Sequence, residues 1–379
     1  MGKDVAVLDI GSSKLVFAVG RKSYTGSYTV DSFSCNAYIG YYESNFCDIS
    51  TLEDDVITTI KQANCLKMPK CLYVGVPAEF SKIETNISQM IFNRERLITS
   101  SIVNEMHSRG DVYSFDPKYS VFSSSAMFYE LDGGKRVFNP VGERASQIKA
   151  YISYMFVDKE FVKMFDSIAQ NAGFKEVKYV SSSWATANRF IDINARNLGA
   201  ISLDVGFGTT SLSLIKGDGI ACLESAPYGV ASIFDKLSKQ LNVDFYEALT
   251  LKNSLNLNYV NSDGAIYSLF VKNQIRSYKS IDINNSVKTR LDEIVDFINE
   301  TIESNPGIVS STTPVYLTGG GVTEIKGAVL YLEHKLKRRI RVVVVEVPKY
   351  NKPYFTSMFS LIDVAYEINE NNSFWKKLF

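Results

Sequence analysis

Two stretches of this chain repeat one another. "VLDIGSSKLVFAVG", residues 7–20, and "SLDVGFGTTSLSLI", residues 202–215, each end a hydrophobic run on an aspartate, continue through glycine and small hydroxylic residues, and enter a second apolar run. Their aspartates, Asp9 and Asp204, stand about 195 positions apart. One turn built twice at that separation points to duplication of an α/β unit rather than to a short-period solenoid. The length of 379 residues suits two domains or one bilobed unit, and 45% hydrophobic with 22% charged residues suits a globular chain with a large core.

Charge and cysteine usage exclude several classes. Lysine plus arginine and aspartate plus glutamate number 41 each, so no global field draws the chain to nucleic acid. The cysteines, Cys35, Cys47, Cys65, Cys71 and Cys222, lack the paired spacing of a metal knuckle or redox motif and read as reduced, mostly buried thiols. His107 and His334 are the only histidines and stand far apart, which disfavours metal or Ser/His chemistry. The opening "MGKDVAVLDIG" enters a strand at once, so a cytoplasmic chain without a signal peptide is expected. Ala6 stands where a myristoylation motif needs Ser or Thr, and no apolar run approaches the roughly 20 residues of a membrane span.

The order of elements predicts two halves built on one α/β plan, with an insert in the first. Strand patterns ("DVAVLDI", "LVFAVG", "CLYVGVP") and one helix, "TLEDDVITTIKQAN", fill the first segment. A polar, aromatic-rich insert follows, with a helix in "ITSSIVNEMHSRG" and strands around "KYSVFSSSAMFYELDGGKRVFNPVG" and "RASQIKAYISYMFV". In the second half "KTRLDEIVDFINETIES" is the clearest amphipathic helix, with Leu291, Ile294, Val295, Ile298 and Ile302 on one face. "RIRVVVVEVP" reads as a buried strand.

The glycine turns carry the chemistry. Glycine lets backbone N–H groups approach an anion, and serine or threonine hydroxyls add donors. An aspartate repels phosphate, so its use there is to hold a hydrated Mg²⁺. Two such turns face to face would clasp a triphosphate. A third, "LTGGGVTEIKG", follows a strand and opens a helix, which suits a base, ribose or phosphate. One Asp-x-Gly turn alone is usually only a hairpin; two in corresponding places plus Gly319, Gly320 and Gly321 form a constellation. Neither a P-loop nor a Rossmann fingerprint occurs.

On "LDIGSSKL", "LDVGFGTT" and "YLTGGGVTEIKGA" the chain resembles the actin-like ATPase superfamily over its whole length. Within it the chain is most similar to the bacterial FtsA cell-division family, through the insert with "VFNPVGERASQIKAYISYMFVDKEFVK", the segment "APYGVASIFDKLSKQLNVDFYEALTLK", and the final "SFWKKLF". The resemblance implies an α/β actin-like bilobed fold of two duplicated ribonuclease-H-like domains with an FtsA-type inserted subdomain. The first domain would span 1–81 and 162–198 with 351–370 returning to it. The insert would be 82–161, the second domain 199–350 with 227–304 its outer subdomain, and 371–379 a polar linker and membrane-targeting tail. It further implies ATP with Mg²⁺, head-to-tail filaments on the inner membrane face at the division site, and capture of the C-terminal peptide of the tubulin-like FtsZ.

Carried over by position, Asp9, Gly11, Ser12, Ser13 and Lys14 would hold phosphate, and Asp204, Gly206, Phe207, Gly208, Thr209 and Thr210 would face them, with Asp9 and Asp204 meeting magnesium through water. Gly229, Lys236 and Glu247 would line ribose and base, and Gly319, Gly320, Gly321 and Val322 would close the adenosine side. Arg290 and Glu293 match positions linked with the FtsZ tail. Departures stand beside these. Phe207 adds bulk where the family has glycine, Thr250 replaces a lysine, and "SSSWATANRF" offers only serines where chaperone relatives place Glu-Pro. ATP is therefore expected as an assembly ligand more than as a fuel.

In "FWKKLF" a helical turn would put Phe374, Trp375, Leu378 and Phe379 on one arc, with Lys376 and Lys377 opposite, which suits an anionic bilayer. So short a helix binds weakly alone and would rely on avidity in a filament. The basic run Lys335–Arg341 reads as a solvated helix end. The alternatives are a PilM-like actin-fold scaffold for an inner-membrane peptide, whose relatives lack the aromatic-lysine tail, and then a small-molecule kinase or chaperone ATPase.

Overall fold

The structure is a computed structural model and describes residues 4–22, 28–38, 41–42, 45–109, 116–258 and 266–370. The expected tail, Phe374 to Phe379, lies outside the described residues.

Two five-stranded sheets share one topology. In the first the spatial order is Glu176–Ser181, Cys71–Val76, Val5–Ile10, Lys14–Lys22, Tyr28–Ala37. In the second it is Ile340–Val342, Val315–Thr318, Ala200–Val205, Thr210–Lys216, Gly219–Ala226. Each begins as an antiparallel meander and continues by parallel pairing to the first strand. All six residues of Val5–Ile10 are buried, which requires cover on both faces. Helices Ile49–Gln62 and Lys159–Asn171 pack together, and so do Ser182–Phe190 and Thr356–Glu370, the last lying on the first sheet. The chain thus crosses to the second lobe at about residue 199 and returns by its final described helix.

Residues 81–158 form a third, antiparallel sheet of Ser81–Leu97, Arg144–Asp158, Tyr119–Leu131 and Lys135–Val137. Helix Ser100–Arg109 closes its core over Met90, Ile98, Met106, Ile148 and Ile152. His107 is buried there, with Nδ1 2.9 Å from the Ser124 hydroxyl and Nε2 3.3 Å from that of Tyr129. The outer part of the second lobe is built on helix Ser280–Glu303, which buries Leu291, Ile294, Val295 and Ile298 as its periodicity requires and leaves Ile302 half-buried. Each such side chain contributes about 1.5–3 kcal/mol of burial.

Two expectations are corrected. "RIRVVVVEVP" forms a strand of only three residues, Ile340–Val342, at the sheet edge, with Val342 40% and Val344 41% exposed. A run of β-branched residues marks extended backbone without saying whether a neighbour covers it. Of the cysteines only Cys222 is fully buried, and Cys47 is exposed.

The connector between lobes is pinned by two buried side chains. Arg196 donates from Nε to the Gly217 carbonyl at 3.1 Å and from Nη2 to Asp218 Oδ1 at 2.7 Å. Trp184 donates from Nε1 to the Asp218 carbonyl at 2.7 Å and to Ser125 Oγ at 3.1 Å, tying connector, second lobe and insert together.

Candidate functional site

The two Asp-Gly turns are the same structure. Gly11 N–H donates to the Lys14 carbonyl at 2.9 Å, and Gly206 N–H donates to the Thr209 carbonyl at 2.9 Å. The turns meet: Gly208 N–H donates to the Ser12 hydroxyl at 2.8 Å, joining residues 196 positions apart. Thr210 anchors the second turn through its hydroxyl, which donates to the Tyr228 carbonyl at 2.8 Å.

The other predicted glycines pack on the second turn. Gly229 precedes helix Val230–Leu241, whose first amides donate to Gly206 (from Val230, 3.1 Å) and Phe207 (from Ala231, 2.8 Å). A Cβ at Gly229 would stand 2.6 Å from both carbonyl oxygens, so only glycine permits that approach. Gly319 adopts φ +86, and a Cβ there would meet the Val205 carbonyl and lie 2.6 Å from Asp204 Oδ1. Gly321 N–H donates to the Val205 carbonyl at 2.9 Å. Gly320 lies against the ring of Tyr354, over which Lys14 Nζ sits at 4.4 Å from the centroid.

Three carboxyl groups face this junction. Ser357 donates to Asp9 Oδ1 at 2.7 Å, yet burial, with the Asp204 charge adding to it, pushes the Asp9 carboxyl up to about 6. Burial also raises Asp204, against the 3.0 Å hydrogen bond from the Thr318 hydroxyl. Glu79, in the short helical turn after strand Cys71–Val76, is raised by burial and further by Asp204, while Tyr41 donates to it. The site holds negative charge at a cost, which is the electrostatic setting for a divalent cation. Among the described residues no three His, Cys, Asp or Glu side chains converge to ligate a metal directly.

Sequence reasoning missed Glu79, Tyr41 and Tyr354. The "VPAEF" following a buried strand is the one local signal for Glu79, since that strand runs parallel to Val5–Ile10 and ends at the same end of the sheet as the first turn. Other predicted residues have engaged side chains. Phe207 packs edge-on to Phe245 with centroids 6.3 Å apart. Glu247 closes a capping box, accepting the Asp244 N–H at 3.0 Å. Lys236 is half-buried on helix Val230–Leu241, and Val322 is fully buried in the second lobe's core. Arg290 and Glu293 pair with each other at 2.7 Å on the long helix.

The duplicated sheets and facing turns define an actin-like bilobed fold. Solved structures align over nearly the whole chain: the PilM–PilN type IV pilus biogenesis complex (TM-score 0.65, 13% identity, 97% of this chain and 99% of that one) and MreB5 of Spiroplasma citri bound to AMPPNP (TM-score 0.58, 12% identity, 98% of each). In sequence the chain is similar to the cell division protein FtsA of Escherichia coli K12, 18% identical over 97% of this chain and 92% of that protein. FtsA of Bacillus subtilis is 20% identical over 94% and 82%, and FtsA of Buchnera aphidicola 19% over 86% and 79%. No family profile matches the chain.

Proposed function

We propose that the chain is an ATP-binding, actin-fold cell-division protein of the FtsA kind, which polymerises on the inner face of the cytoplasmic membrane and tethers FtsZ filaments to it. The observation that carries the nucleotide part is the junction of the two turns through Ser12 and Gly208, flanked by the buried carboxyl groups of Asp9 and Asp204. Weak but chain-long similarity to FtsA from three bacteria supports the cell-division part.

The residues present fit a magnesium nucleotide. Asp9 and Asp204 would hold the ion through its water shell, and Ser12, Ser13 and Thr209 with the turn amides would face the phosphates. When bound, the group would supply the negative charge that the turn amides and Lys14 would meet. Lys14 would exchange the Tyr354 ring for that charge, and Glu79, whose carboxyl is raised by burial and further by the Asp204 charge, would be the group to orient a water. The Arg290–Glu293 pair would open to take the FtsZ peptide.

Titration of a labelled FtsZ C-terminal peptide tests the reading. Saturable binding that Arg290→Glu weakens at least tenfold is expected. No binding at any concentration overturns the FtsA assignment and leaves a PilM-like scaffold as the reading to pursue.

A further inference from the structure

Loop 64–70 joins helix Ile49–Gln62 to strand Cys71–Val76 at the end of the first sheet remote from the turns. Leu66 at its tip is 104% exposed, as free as in an extended peptide, while Cys65 and Met68 beside it are half-buried against the lobe's core. Lys67 and Lys70 are exposed on the same loop. The Lys70 carbonyl accepts the Lys175 N–H at 2.8 Å, which brings a third exposed lysine onto this rim. The acidic neighbours include Asp4, which the parallel register sets level with Lys70 and which lies 3.5 Å from Arg21, Glu176, 3.5 Å from Lys178, and the exposed Glu367 of the last helix.

The last helix ends on this rim too. The Tyr73 hydroxyl donates to Asn369 Oδ1 at 2.9 Å. Tyr73 stands three residues beyond Lys70, about 10 Å along the strand. Residues 371–379, with their aromatic and lysine side chains, therefore follow from a point beside loop 64–70.

We infer that loop 64–70 is a lipid contact of its own, in which Leu66 enters the headgroup–acyl boundary of an anionic bilayer while Lys67, Lys70 and Lys175 face lipid phosphates. The inference rests on the reading of 374–379 as a membrane-binding segment. A fully hydrated leucine gains by entering an apolar phase, and lysines nearby add attraction to a negative surface. Neither the loop nor the tail is strong alone. Placed side by side, each raises the effective concentration of the other at the bilayer. Two contacts on one rim also fix orientation: the junction of the turns, at the opposite end of the sheet, would point away from the membrane.

The test is flotation of the full chain on phosphatidylglycerol/phosphatidylethanolamine vesicles, with phosphatidylcholine vesicles as the neutral arm. Leu66→Ser and the pair Lys67→Gln, Lys70→Gln alter exposed side chains, and unchanged melting temperatures confirm folding. Each is expected to lower the bound fraction on anionic vesicles several-fold. Equal flotation of wild type and Leu66→Ser, with loss on deleting 373–379, overturns the loop contact and leaves the tail reading standing. Loss with Leu66→Ser but none on deletion overturns the tail reading instead, and no flotation of wild type overturns both. A second readout is direct: Leu66→Trp in a Trp375→Phe background is expected to shift its emission to the blue and to be quenched by brominated lipid. Emission unchanged by vesicles contradicts insertion.

Discussion

The hydroxyl of Ser12 accepts the backbone N–H of Gly208 at 2.8 Å, and through this bond the two halves of a duplicated chain touch at their corresponding turns. A serine side chain on one side meets a backbone amide on the other, so the contact is asymmetric although the turns are alike. It holds the lobes at a spacing where hydroxyls and amides from both face one point. A hydrogen bond of this kind is worth about 0.5–1.5 kcal/mol. Ser12→Ala is therefore expected to lower the melting temperature of the ligand-free protein by about a few degrees, and, with one hydroxyl gone from the junction, to weaken ATP binding roughly two- to tenfold in a fluorescent-nucleotide titration.

Asp9 gives a prediction of opposite sign for stability and for binding. Its carboxyl is raised from 3.8 to about 6 by burial. The folded state thus binds the proton more tightly than the unfolded one, so this group stabilises fully below about pH 4 and loses that contribution as pH rises through 6. The ionised form at pH 7.5 costs up to about 3 kcal/mol. Asp9→Asn, which keeps an oxygen for the Ser357 hydroxyl, is expected to raise the ligand-free melting temperature at pH 7.5. The same variant is expected to abolish the extra stabilisation that Mg·ATP gives the wild type in a thermal-shift series.

His107 runs the other way. Burial in the insert holds its imidazole down to about 4. The unfolded state takes up the proton first, so stability is complete above about pH 6.5 and falls as pH drops toward 4, by up to about 3 kcal/mol. Urea unfolding at a series of pH values is expected to show this decline, and His107→Gln, which can still bond Ser124, is expected to flatten it.

Phe207 is a structural residue by its contacts. Edge-on packing against Phe245 places its ring with the second lobe's core. Phe207→Ala is expected to destabilise the protein by about 1–3 kcal/mol in denaturant unfolding, while nucleotide affinity at saturating folded fraction stays within about twofold. A large loss of affinity with unchanged stability would place the ring at the phosphates.

The duplicated turns were legible because glycine, aspartate and hydroxyl side chains sit within a few consecutive positions. The common topology of both sheets follows from that repeat. Glu79 was not legible: it reaches the junction through the fold, 70 residues after Asp9, with no flanking pattern beyond a strand's end. The hydroxyls of Ser357 and Thr318, which hold Asp9 and Asp204, come from elements still more distant in sequence, 348 and 114 positions away. Gly229 and Gly319 read as nucleotide-facing glycines, yet their missing side chains already answer a need for close backbone packing on the second turn. A glycine pattern marks a close approach without naming what approaches.

In the proposed function this chain, with nucleotide bound, ties FtsZ polymers to an anionic membrane. The direct measurement is co-flotation of FtsZ polymers with phosphatidylglycerol-containing vesicles in the presence of the chain and Mg·ATP. FtsZ is expected in the floating fraction with wild type, and to remain below with Asp9→Asn/Asp204→Asn or with the chain lacking 373–379. FtsZ floating equally with those variants, or staying below with wild type bound to the vesicles, would rule out nucleotide-dependent tethering by this chain.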